Sequence, residues 1–142
     1  NFGEKENLGD DFLNISDPNF NRFEKFYEKI DLCIIANSDI SCLIKAIDTV
    51  RKGGIILFFG EPKANSKIKI DLSKIYSKEI KIITSYSATN QDFHDAMKIF
   101  SKNKINFNKL ITHEFTLENA QEAIKFAKDG KNRIKVIISS NN

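Results

Sequence analysis

The stretch Ile30-Asp31-Leu32-Cys33-Ile34-Ile35-Ala36, with Gly53-Gly54-Ile55-Ile56-Leu57-Phe58-Phe59-Gly60 one helix further on, decides the fold. Each is a short, nearly unbroken apolar run rich in β-branched or aromatic side chains. Each is bounded by polar residues or glycine and is too short for a helix. Runs of that kind read as parallel strands covered on both faces. Between them Ile40, Leu43, Ile44, Ile47 and Val50 recur at helical spacing, so the unit is strand, helix, strand with a right-handed crossover.

Downstream, Glu61 to Ser66 is loop by composition, and Lys67 to Leu72 alternates polar and apolar residues as an exposed or edge strand would. Ile80-Lys81-Ile82-Ile83-Thr84 is a third buried-strand candidate. Asn90 caps a helix with the stripe Phe93, Ala96, Met97 and Phe100, and His94 lies off that stripe. Ile111 to Phe115 reads as a short strand, and Thr116 caps a helix carrying Ala120, Ala123, Ile124 and Ala127. Gly130 ends that helix, and Ile134 to Ile138 is a closing strand.

Upstream, residues 1–9 are polar and end in Leu8-Gly9, the pattern of a helix tail with glycine just beyond it. Asp11 to Ile15 reads as a short strand. Asp17-Pro18 opens a helix whose Phe20, Phe23, Phe26 and Tyr27 form a broad aromatic face, expected to be core. With no initiator Met and no signal peptide, residue 1 reads as a cut end.

Composition narrows the classes. A chain of 142 residues with 41% hydrophobic and 29% charged residues is ordinary for a soluble domain with a sizeable core. The 22 Lys and Arg are interleaved with 19 acids, so a solvated surface is expected and nucleic acid is not. No apolar stretch is long enough to span a membrane. Cys33 in a strand and Cys42 in the following helix read as reduced thiols of a cytoplasmic protein, with no second pair for a CxxC zinc site.

These elements describe an α/β chain with a doubly wound parallel sheet, a fold that binds ligands beyond the carboxyl ends of its strands. The positions singled out are Asn37-Ser38, Phe59-Gly60-Glu61 and Thr84-Ser85-Tyr86. Gly60 permits close backbone approach or a positive φ, and a plain turn explains it equally well. No glycine spacing gives GxGxxG or a P-loop, and no His, Ser or acid arrangement forms a self-contained catalytic set. No catalytic or metal-ligating residue is therefore assigned within the chain.

The run Asp31 to Ser38, Gly53-Gly54, Gly60, Lys78-Glu79-Ile80, Thr84-Ser85-Tyr86, Leu110 to Leu117, Ala120, Glu122-Ala123, Gly130-Lys131 and Lys135-Val136 resembles, in order and spacing, the C-terminal half of medium-chain, zinc-type alcohol, sorbitol and threonine dehydrogenases. The resemblance is strongest to the polyol branch. It implies a partial Rossmann-type sheet over residues 1–103 and a C-terminal helix-strand segment, residues 104–142, returning to a catalytic domain that precedes Asn1. It implies NAD(P) as cofactor and zinc held by ligands outside this chain. A small alcohol or polyol would be the substrate, and a homodimer or tetramer joined through sheet edges the assembly.

By position, the resemblance places Asn37 and Ser38 beside the nicotinamide ribose and the backbones of Phe59, Thr84 and Tyr86 against the carboxamide. Gly60 would let its strand end approach the ring, and Lys135 would stand near the pyrophosphate. Two departures stand out, Ile35 where the family usually has Glu and Ser38 where it usually has Gly. Each assignment has a plain alternative: Tyr86 a partly buried aromatic, Asn37 a turn residue, Lys135 a surface lysine, with His113 structural. A zinc-free quinone or enoyl reductase, and a non-catalytic nucleotide-binding or assembly module, are the competing functional readings.

Overall fold

A computed structural model describes residues 9–13, 24–102 and 106–140. The chain divides into two compact units, Asn1–Ser87 and Ala88–Asn142.

In the first unit, β1 (Ile30–Ile35), α1 (Cys42–Thr49), β2 (Val50–Phe58), α2 (Leu72–Ser77) and β3 (Lys81–Thr84) follow in order. The strands pair in parallel in the order β1-β2-β3. Ile35 stands opposite Phe58, and Phe58 opposite Thr84, so all three strands end at one level. Two right-handed crossovers that step across the sheet in one direction land on one face. There Cys33, Ile35, Ile56 and Phe58 meet Leu43, Ala46 and Ile47 of α1 and Ile75 of α2, around the fully buried Val50 and Ile56.

The other face corrects the expectation of strands covered on both sides. Leu32, Ile34 and Ile83 point away from the core and are 50%, 55% and 49% exposed. Their apolar pattern belongs to a face left half-exposed among the described residues. Two further expectations change. Lys67 to Asp71 forms no strand, and Leu72 opens α2 because the Asp71 carboxylate accepts the Ser73 N–H at 2.9 Å. Of the proposed segment Asp11 to Ile15, residues 11–13 are irregular and 14–15 lie outside the described residues. Phe20 and Phe23 also lie outside them, while Phe26 and Tyr27 follow in a short turn.

Strand β2 begins earlier than expected, at Val50, directly where α1 ends. Between Ile30–Val50 and Leu32–Ile55 the register slips, and Gly53 takes the left-handed conformation (φ 70°) that this kink requires. Its N–H donates to the Lys78 carbonyl at 2.7 Å.

Lys78-Glu79-Ile80 closes α2 as a Schellman motif. The Glu79 N–H reaches the Tyr76 carbonyl and the Ile80 N–H the Ile75 carbonyl, both at 3.1 Å, with Glu79 left-handed (φ 53°) where glycine is usual. Ile80 and Ile75 share the core cluster. The Lys78 side chain turns inward, and the residue is only 8% exposed. Its Nζ donates to the carbonyls of Ile47 (3.0 Å), Asp48 (3.4 Å) and Val50 (3.5 Å) and pairs with Glu28 at 3.1 Å. Because α1 runs straight into a strand, no left-handed cap satisfies those carbonyls, and the ammonium does so.

In the second unit, α3 (Asn90–Ser101), β4 (Ile111–Thr116), α4 (Ala120–Asp129) and β5 (Lys135–Ser139) follow, with β4 and β5 parallel. Helix α3 is capped by Thr89, not by Asn90, in a reciprocal box with Asp92. Thr116 caps no α-helix; it precedes a 3-10 turn, Leu117–Asn119, that leads into α4. Of the expected α4 stripe, Ala123 is buried and Ile124 is exposed. Phe126 packs on the rings of His113 and Phe115, with centroids 4.3 and 5.9 Å away, which gives His113 its structural place. Arg133 donates to the carbonyls of Ala127, Lys128 and Gly130, a second helix C-terminus closed by a cation, here from the loop just beyond the helix.

Lys78→Met is expected to destabilise the first unit by about 2 kcal/mol, the scale of buried hydrogen bonds to a charged group. Glu28→Gln should cost under about 1 kcal/mol, because that carboxylate is largely solvated. Urea unfolding checks both; a Lys78→Met midpoint equal to wild type would remove the ammonium from the account of α1.

Candidate dinucleotide edge

The carboxyl ends of three parallel strands are brought to one edge, and six of the seven residues that the resemblance assigns to the cofactor are in this unit. Asn37 and Ser38 follow β1, Phe59 and Gly60 follow β2, Thr84 ends β3, and Tyr86 lies two residues beyond. The N–H groups of Phe59 and Gly60 both reach the Ile35 carbonyl, at 3.0 and 2.8 Å, and stitch the ends of β1 and β2 together. Phe59 and Tyr86 are 58% and 83% exposed, so neither is a core aromatic. Lys135 belongs to the other unit, where it is exposed, opens β5 opposite Ile111, and offers its carbonyl to the Thr112 hydroxyl.

The turn after β1 is built from two successive side-chain-to-backbone bonds. Asn37 Oδ1 accepts the Asp39 N–H at 3.0 Å, and Asp39 Oδ1 accepts the Ser41 N–H at 2.9 Å. The Ser41 hydroxyl and N–H hold the Asp39 carboxyl below the usual carboxylate range. Asn37 Nδ2 also donates to Cys42 Sγ at 3.6 Å. Burial, and then the neighbouring Cys42, push the Cys33 thiol up, so Cys33 stays protonated at neutral pH. Both cysteines are free and pack against the core cluster.

Of the readings open for Gly60, close backbone approach fits the structure and a positive φ does not. A Cβ built on it would lie 2.0 Å from the Asn37 carbonyl oxygen and 2.6 Å from the Asn37 nitrogen. The close approach is to the chain's own backbone. Asp39 and Cys42 were missed as members of this edge. The Asn37-Ser38-Asp39-Ile40-Ser41 spacing carries the first signal, since Asn and Asp two residues apart favour consecutive turns; the sulfur contact has no counterpart in the sequence.

Two cavities lie away from this edge. One, of about 640 Å³, opens near the amino ends of the strands among Tyr27, Asp48, Lys52, Lys74 and Lys78, where Lys74 pairs with Asp48 at 2.7 Å. The other, of about 350 Å³, flanks β1 beside Leu13, Phe26 and Leu32. Among the described residues no three His, Cys, Asp or Glu side chains gather to hold a metal ion.

Gly60→Ala is expected to cost about 1 to 3 kcal/mol, as overpacking does, and to shift the backbone amide signals of residues 36–41. Unchanged stability and unchanged signals at Asn37 and Ser38 would show that the strand ends tolerate a Cβ.

No family model matches the chain. It is 36% identical over 101 residues to an L-arabinitol 4-dehydrogenase of Aureobasidium melanogenum, covering 70% of this chain and 27% of that protein. It is 28% identical over 112 residues to a sorbitol dehydrogenase of Halalkalibacterium halodurans, covering 77% and 31%. The chain thus spans about a quarter to a third of the length of these curated relatives. Among solved structures, a short chain alcohol dehydrogenase from Escherichia coli CFT073 complexed with NADH superposes with a TM-score of 0.81 at 26% identity, over 97% of this chain and 41% of that one. In sequence over more than two thirds of its length, and in fold over nearly all of it, the chain is similar to part of the medium-chain, zinc-type alcohol and sorbitol dehydrogenases.

Proposed function

We propose that the chain is the C-terminal half of an NAD(P)-dependent, zinc-assisted oxidoreductase that acts on an alcohol or polyol in the cytoplasm. The observation that carries this reading is the likeness to polyol dehydrogenases over most of the chain, joined to an edge where three parallel strands end. Residues 1–103 are then the end of the dinucleotide-binding domain, and residues 104–142 the return into the catalytic domain.

The residues of the first unit suit the nicotinamide end of a dinucleotide. Asn37 and Ser38 border its ribose, the backbones of Phe59, Thr84 and Tyr86 face its carboxamide, and Gly60 lets its strand end approach the ring closely. Lys135 supplies a point charge for the pyrophosphate on the strength of the resemblance alone. When bound, the dinucleotide takes or gives the hydride. The glycine fingerprint that grips a pyrophosphate is not in this sequence, and zinc is assigned to residues outside the chain.

A polypeptide carrying this chain with its dinucleotide fingerprint is expected to oxidise sorbitol or L-arabinitol with NAD or NADP. The 142 residues alone should show no turnover. Chelation of metal should abolish turnover while leaving NADH binding in place. Absence of both polyol oxidation and NADH binding in the longer polypeptide would overturn the reading.

For assembly, β1 and β3 are the edges of the three-stranded sheet, and an open edge strand invites pairing with another copy. A homodimer or tetramer with sheet-edge contacts is expected by sedimentation equilibrium at micromolar concentration. A monodisperse monomer whose Lys81–Thr84 amides exchange freely would remove this contact.

A further inference from the structure

Asn37 is held from three directions. Its Oδ1 accepts the Asp39 N–H, its Nδ2 donates to Cys42 Sγ, and its backbone lies against Gly60. The amide cannot be turned over, because a backbone N–H can only donate and so requires the oxygen. The nitrogen therefore faces the sulfur. Cys42 is the first residue of α1 and packs against the core cluster that joins α1 to the sheet, so its sulfur position is set from below by the core. Ser41 makes no side-chain cap to α1; the ordering of this turn passes through Asn37, Asp39 and Cys42.

An amide nitrogen has two hydrogens, and the sulfur takes one. We propose that Cys42 is a positioning residue: its thiol, as acceptor, fixes the rotation of the Asn37 amide so that the second Nδ2 hydrogen is presented as a donor to an oxygen of the nicotinamide riboside half of a dinucleotide. The proposal rests on the reading of the strand ends as the nicotinamide edge. Cys42 itself touches no ligand. The Asn37 oxygen already accepts the Asp39 N–H, and the free Nδ2 hydrogen is the donor this side chain offers, to an acceptor such as a ribose hydroxyl oxygen or the carboxamide oxygen.

Cys42→Ala and Cys42→Ser separate the acceptor from the volume. In the NADH-binding polypeptide that carries this chain, fluorescence titration should show NADH affinity about three- to fivefold weaker for Cys42→Ala, the scale of one neutral hydrogen bond, and within twofold of wild type for Cys42→Ser. The Asn37 side-chain amide pair, followed by NMR, should lose its order in Cys42→Ala and keep it in Cys42→Ser. Unchanged affinity in Cys42→Ala, or a Cys42→Ser as weak as Cys42→Ala, overturns the positioning role. If the wild-type polypeptide binds no NADH, the nicotinamide reading falls and takes the functional role of Cys42 with it, while the amide signals still report whether the sulfur holds Asn37.

Discussion

The buried ammonium of Lys78 is the interaction on which the first unit depends. Helix α1 ends with no room for a glycine cap, since Val50 is both its final cap and the first residue of β2. The Asp48 carbonyl at that junction also accepts the Glu28 N–H at 3.2 Å, while those of Ile47 and Val50 meet the ammonium in buried surroundings, where a polar group without a partner is costly. Lys78 supplies that ammonium from the far end of the crossover, and Glu28 balances the charge from the turn before β1. One side chain thus ties together the entries to all three strands. Left-handed backbone at Glu28 and Glu79, costly for residues with a Cβ, is held on both sides of this contact.

Parallel topology then accounts for the distribution of burial. Both crossovers lie over the face that carries Cys33, Ile35, Ile56 and Phe58. The opposite face is equally apolar in sequence, and Leu32, Ile34 and Ile83 on it are half-exposed. Side chains of this kind are usual in parallel strands covered on both faces, and Leu13 and Phe26 line a cavity with Leu32 and Ile34 beside β1.

The three buried-strand candidates were legible because continuous apolar runs of strand length, separated by helical spacing, have few alternative folds. So was the edge at which Asn37, Phe59 and Thr84 meet, since parallel strands of matched register must end together. Burial was misjudged because periodicity reports which residues could be covered and says nothing of what covers them. Helix α2 was missed because Lys69-Ile70-Asp71-Leu72 alternates like a strand, and Asp71 acts there as a cap. The Lys78-Glu79 pair was visible only as a family resemblance; its physical content, a helix stop followed by an inward-turned cation, depends on a carbonyl cluster some 30 residues away and leaves no local pattern.

At Gly60 the close backbone approach that glycine permits is to the Asn37 backbone. The contact brings the two strand ends closer than any side chain would allow, and the shared bonds to the Ile35 carbonyl fix their spacing. With the turn after β1 also closed by Asn37 and Asp39, the backbone of this edge is held by bonds within the chain. Preorganisation of that kind lowers the entropy lost on binding. The exposed side chains of Phe59 and Tyr86 stand on this fixed edge, so the edge combines a rigid backbone with aromatic surface still open to a partner.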